Sequence, residues 1–149
     1  MKHSVFSKKV EDGILLQVGV KIFLRNKEGK YLILKRSPVQ YPQIANFWDI
    51  PGGRIVPGTG LLDNLKREVF EETKLPVLGI TKLICAQDII YPSEKHIVRL
   101  TFCGTTSGEP VLDEEHVEHQ WITLVDMKSL PKLDEFTKEV LERHHSAIA

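Results

Sequence analysis

Three acidic side chains, Glu68, Glu71 and Glu72, follow Arg67 at positions i, i+3 and i+4. On a helix that spacing stacks the carboxylates on one face, with Cβ atoms roughly 5–6 Å apart. Like charges so placed repel by a few tenths of a kcal/mol per pair, which a solvated face tolerates. They gain far more from a hard divalent cation, which prefers oxygen ligands. Upstream stands Gly52-Gly53, where backbone without side chains can approach a helix or ligand closely. A glycine pair ahead of a triple-carboxylate helix points to phosphate chemistry assisted by magnesium or manganese.

The rest of the composition restricts the alternatives. The chain has 149 residues, of which 42% are hydrophobic. That is one domain over residues 1–149, large enough to bury a core without staples. Lys plus Arg number 20 and Asp plus Glu number 20, a formal net charge of zero. Bulk electrostatics therefore speak against a nucleic-acid or membrane-surface role, and leave room for a small anionic ligand in a local basic pocket. No apolar run is long enough to span a bilayer, and no leader-like segment opens the chain, so a cytoplasmic protein is expected. Cys85 and Cys103 each lie in an apolar, strand-like run. They read as buried free thiols without zinc-ligand spacing.

The elements that must position the carboxylates are legible from periodicity. Residues 1–12 are a polar lead-in. Residues 14–24 cluster β-branched and aromatic side chains, and residues 31–36 form the returning strand across a turn at 26–30, so a hairpin is expected. A proline-bearing loop leads to a short strand at 47–50, ended by Pro51-Gly52-Gly53. The helix runs over 61–74 with Leu62, Leu65 and Val69 as its apolar stripe and the charged residues off it. Pro76 stops it. Strands follow at 80–90 and 96–104, then an acidic loop at 113–116 and a last strand at 120–124. Leu133, Phe136, Val140 and Leu141 mark a C-terminal amphipathic helix.

Gly53, Arg67-Glu68-Val69, Glu71-Glu72 and Leu75 together resemble the Nudix box of the MutT-like pyrophosphohydrolases. That box is a glycine, five residues, a glutamate, seven residues, then Arg-Glu-aliphatic-any-Glu-Glu-any-Gly-aliphatic. Trp48-Asp49-Ile50-Pro51 before it, and Glu114-Glu115-His116 leading to Trp121 after it, extend the resemblance over about residues 14–125. Two positions depart from the pattern. Thr59 stands where the box has its first glutamate, and Lys74 where it has its late glycine.

The resemblance implies an α/β fold of Nudix type: an α/β/α sandwich with a mixed β-sheet and the box as loop-helix-loop. It implies Mg2+, or Mn2+, held by Glu68, Glu71, Glu72 and the Gly52 carbonyl. Arg67 is expected to orient Glu71 at i+4. The general base is expected at Glu115, with Glu114, Glu118 and Glu72 as competitors. Arg36 is expected to touch phosphate and Trp48 to stack on a base, with Phe47 and Tyr41 as other stacking candidates. His116 and His119 are read as surface residues. The implied activity is hydrolysis of a nucleoside diphosphate linked to another group, a nucleoside triphosphate first. A small-molecule nucleotide is thus the expected partner; a homodimer is left open, and RNA ends are disfavoured by the neutral charge. The alternative, motivated by Thr59, is a nucleotide-binding regulatory module with a weakened site.

Overall fold

The computed structural model describes residues 13–149, so the lead-in expected over 1–12 lies outside the described residues. Among these residues seven strands form one mixed sheet: β1 (Leu15–Arg25), β2 (Tyr31–Arg36), β3 (Trp48–Asp49), β4 (Gly52–Arg54), β5 (Gly79–Tyr91), β6 (Lys95–Thr105) and β7 (His116–Ile122). Among the described residues three α-helices accompany it: α1 (Leu61–Thr73), α2 (Leu124–Lys128) and α3 (Glu135–Ile148).

Strand periodicity divides the core. Successive side chains point to opposite faces. Val20, Ile22 and Leu24 of β1, with Leu32 and Leu34 of β2, pack against Leu65 and Val69 of α1. Phe23 of β1, with Tyr31 and Ile33 of β2, packs on the other face against Met127 of α2 and Val140 and Leu141 of α3. The sheet is therefore covered on both faces, giving the expected α/β/α layering. Cys103 is buried, Cys85 is half-buried, and both are free thiols.

The expected 14–36 hairpin survives only at its turn. β1 and β2 share the single register pair Arg25↔Tyr31. Asn26 holds that turn, its Oδ1 accepting from the Glu28 and Lys30 N–H groups at 3.1 and 3.0 Å. Beyond it the strands separate because β4 pairs with β1, Gly53 opposite Val20. β1 instead runs parallel to β6 along its whole length, from Leu15↔Lys95 to Arg25↔Thr105. β2 pairs with β3 and β7. The glycine loop is thus wedged into the centre of the sheet.

Three other expectations change. Leu62 is 43% exposed and leaves the apolar stripe, while Asn64 and Glu72 join the buried face of α1. The last strand ends at Ile122, and Thr123 caps the unexpected α2 by accepting from the Asp126 N–H at 3.2 Å. Phe136 opens α3 half-buried and faces the cavity described below, while Leu133, Val140 and Leu141 take the core positions.

Candidate active site

The short strand β4, which leads into α1, carries the glycine pair for two different reasons. Gly52 has φ +137°, and a Cβ there would lie 2.0 Å from the Val20 carbonyl oxygen. Only glycine fits so close to a neighbouring strand in that conformation. A Cβ on Gly53 would meet the Glu68 carboxylate at 2.7 Å, so Gly53 leaves the room Glu68 occupies.

Glu72 lies 7% exposed on the inner face of α1 and accepts from the Gly52 N–H at 3.0 Å. Burial pushes its carboxyl up to about 8, against the opposing pull of Lys21 and that N–H. Burial also raises the Glu68 carboxyl, partly countered by Arg67. Arg67 reaches both oxygens of Glu71 at 3.1 Å, the expected i+4 contact, and Glu68 at 3.3 Å. The Glu71 side chain is otherwise exposed.

Glu68, Glu71, Glu72 and Gly52 line one cavity of about 710 Å³, and Glu115 lines the same cavity. The Tyr41 hydroxyl donates to Glu115 Oε1, and the Ser37 N–H donates to the Glu115 carbonyl at 2.8 Å. Burial and that carboxylate hold the Tyr41 phenol above its ordinary range. Neither Glu114 nor Glu118 lines the cavity; Glu118 pairs with Lys35 at 3.4 Å. Among the described residues no three His, Cys, Asp or Glu side chains are gathered closely enough to cage a metal by themselves. The donors are nonetheless all oxygen. Magnesium commonly binds through one or two carboxylates plus waters and substrate phosphates, and manganese accepts the same ligands. The residues present fit such an ion.

A basic cluster adjoins these carboxylates, its Lys21 Nζ 3.4 Å from the Gly52 carbonyl oxygen. Asp49, 2% exposed, lies at its centre. Lys21 Nζ reaches it at 3.0 Å, Arg36 at 2.6 Å and Arg99 at 3.5 Å. Burial alone would raise the Asp49 carboxyl, but Lys21, Arg99, Arg36 and the Thr137 hydroxyl overcome it and hold the group far below the usual carboxylate range. Asp134 takes Arg99 at 3.1 Å and caps α3 through the Phe136 and Thr137 N–H groups. Lys21, Arg36 and Arg99 all line the cavity. Three cations facing two carboxylates leave a positive balance beside the acidic helix.

Trp48 is corrected. It is 6% exposed, part of the core behind the site, bridged to Leu133 and absent from the cavity walls. It is not available to stack on a base. Tyr41 and Phe47 line the cavity, as do Ile89 and Tyr91 of β5 and Phe136 of α3. His116 is also corrected: its ring is only 8% exposed, bonds Asp113 at 2.8 Å and lines the cavity. His119 is half-buried on β7 opposite Leu34. Sequence reasoning missed Lys21, Asp49, Arg99 and Asp134. For Lys21, Asp49 and Arg99 the signal was a charge inside an otherwise apolar strand, which burial permits only when paired; Asp134 lies outside the strands, at the N-cap of α3.

The chain is similar to known proteins over most of its length. A family model described as NUDIX domain matches residues 15–144. A Bacillus subtilis (strain 168) protein, named provisionally as an 8-oxo-dGTP diphosphatase, is 28% identical over 106 residues, 70% of this chain and 65% of that protein. The match thus spans less than two thirds of that relative. The 8-oxo-dGTP diphosphatase of Buchnera aphidicola subsp. Schizaphis graminum (strain Sg) is 28% identical over 102 residues, 68% of this chain and 74% of that one. The crystal structure of a MutT protein from Methanosarcina mazei Go1 superimposes with a TM-score of 0.80 at 26% identity, covering 90% of this chain and 96% of that one.

Proposed function

The chain belongs to the NUDIX family, and from that premise we propose that it is a metal-dependent pyrophosphohydrolase acting as one domain on nucleoside triphosphate-like substrates. The observation that carries the reading is the shared cavity: the box carboxylates Glu68, Glu71 and Glu72 face the same space as Glu115 and the cations Lys21, Arg36 and Arg99. A pyrophosphate linkage is polyanionic, and water attacks it slowly unless that charge is neutralised. Glu68, Glu71, Glu72 and the Gly52 carbonyl would hold Mg2+ or Mn2+, which when bound neutralises phosphate charge and acidifies a water.

The chain's own side chains supply the rest. Arg67 holds Glu71 and Glu68 to the face of α1. Glu115 takes the proton from the attacking water, and the Tyr41 hydroxyl fixes the direction of its carboxylate. Arg36 contributes positive charge beside the phosphates while anchored to Asp49. Tyr41, Phe47 and Phe136 give the cavity its apolar and aromatic surface for a base. The name of the Buchnera relative directs the substrate search to oxidised purine nucleoside triphosphates.

A second reading is a nucleotide-binding regulatory module with little or no catalysis. It is favoured by the open spread of the carboxylates and by Thr59 at a box glutamate position. Turnover separates the two. Wild type and Glu72→Gln are incubated with ordinary and oxidised nucleoside triphosphates, dinucleoside polyphosphates, nucleoside diphosphate sugars and 5′-triphosphate RNA, with Mg2+ or Mn2+. At least one substrate should be cleaved roughly a hundredfold faster by wild type, the scale on which a catalytic group contributes. If none is cleaved above the Glu72→Gln rate, the hydrolase reading fails and the binding reading stands.

A further inference from the structure

Asn64 is 1% exposed, on the inner face of a helix otherwise packed with Leu65 and Val69. A buried amide needs partners for two donors and an acceptor oxygen. Asn64 has them all. Its Nδ2 donates to the Gly60 carbonyl at 2.8 Å and to Thr59 Oγ1. Its Oδ1 accepts from the Val56 N–H at 2.9 Å and from Arg67 Nη2 at 3.0 Å. The amide has one workable orientation, because turning it over would set its NH2 against the donors of Val56 and Arg67.

Thr59 fixes the other end. Its hydroxyl donates to the Val56 carbonyl at 2.6 Å, which leaves its lone pairs for Asn64. The loop of residues 56–60 is thereby closed on itself and tied to α1 through one side chain. Arg67 is the next link: from Asn64 it passes to Glu71 at 3.1 Å and Glu68 at 3.3 Å. Without the Asn64 carbonyl, the partners left to the guanidinium among the described residues are two carboxylates, one of them largely exposed.

We propose that Thr59 and Asn64 act together as a neutral positioning relay, doing through a hydroxyl and an amide what a carboxylate at position 59 would do by charge: they aim Arg67 so that Glu68 and Glu71 face the metal. The inference rests on the metal-site reading above for its consequence, but not for the relay itself. A neutral relay also leaves the cluster of Arg67, Glu68, Glu71 and Glu72 one negative charge short of its carboxylate equivalent. Partners that orient metal ligands in this way are worth about 10–100-fold in metal affinity or activity.

The test uses Thr59→Val, Thr59→Ser and Asn64→Leu in the full chain. Two measurements are made: exchange protection of the Arg67 guanidinium by NMR without metal, and Mn2+ binding by electron paramagnetic resonance. Thr59→Val is nearly isosteric at an exposed position and should fold, so the outcome does not hang on Asn64→Leu. In Thr59→Val the Arg67 protection should fall, and Mn2+ affinity should drop roughly tenfold. Thr59→Ser, which keeps the hydroxyl, should retain the protection. Asn64→Leu should lose at least as much as Thr59→Val, and adding Thr59→Val to it should cost nothing more. Unchanged Arg67 protection in folded Thr59→Val overturns the relay. A wild type that takes up no Mn2+ overturns the metal reading alone, since the Arg67 signal still decides the relay.

Discussion

Alanine at Gly52 and alanine at Gly53 should fail in opposite ways, although the residues are neighbours. At Gly53 the new Cβ meets only the end of the Glu68 side chain, whose carboxylate must retreat from 2.7 Å to an ordinary contact beyond 3.4 Å. The side chain can swing, and alanine gains about 0.4–1 kcal/mol by restricting the unfolded chain where the backbone suits it. Net stability should stay within about 1 kcal/mol of wild type. Catalysis should not, because displacing a reacting group by about 1 Å can cost on the order of 100-fold. At Gly52 the Cβ meets the Val20 carbonyl oxygen at 2.0 Å, and the residue has φ +137°. Backbone strain of that kind costs about 1–3 kcal/mol, and relieving the clash requires moving β1 as well. A loss above about 3 kcal/mol follows, or roughly 10 °C in Tm for a domain of this size. Thermal melts by circular dichroism and kcat/KM on the best substrate of the panel measure both. A Gly53→Ala protein that is fully active, or that loses more than about 2 kcal/mol, refutes the argument that Gly53 exists to make room for Glu68.

Three further outcomes follow from the geometry. Lys74 caps α1 in the left-handed region at φ 61°, so Lys74→Gly should raise stability by up to about 1 kcal/mol in urea unfolding, less what its ammonium gains over the Phe70 ring; a fall in stability would show that ring contact to outweigh the strain. Asp49→Asn should destabilise by about 3–5 kcal/mol, because Lys21, Arg99 and Arg36 are left facing a neutral amide. The pH dependence has the same origin. Asp49 has a carboxyl depressed in the folded state, so its contribution is complete above the unfolded value of about 3.9 and is lost as pH falls below it. Tm against pH should drop below about pH 4 in wild type and more shallowly in Asp49→Asn; equal slopes would remove Asp49 as the cause.

Much of this protein is set locally and can be read from the sequence. The apolar, β-branched runs of β1 and β2, the turn at Asn26 and the 3.6-residue period of α1 all depend on neighbours within a few residues. The i, i+3 and i+4 carboxylates and their Arg67 partner are local in the same sense. What only the tertiary structure decided depends on strands far apart in sequence. Periodicity made β2 the partner of β1, but the glycine loop wedges between them and β6 takes the long parallel pairing. It marked Leu62 as core and set Glu72 off the apolar stripe, yet Glu72 turns inward because the Gly52 N–H, on another element, is there to bond it. Trp48 resembles a stacking residue until its bridge to Leu133 puts it in the core. Thr59 is a bare departure from a pattern until Asn64, five residues on, closes the bond to it. Hydrogen bonds and charge pairs between distant segments have no period, so spacing along the chain could not reveal them; burial, which makes an unpaired polar group costly, is what selects them.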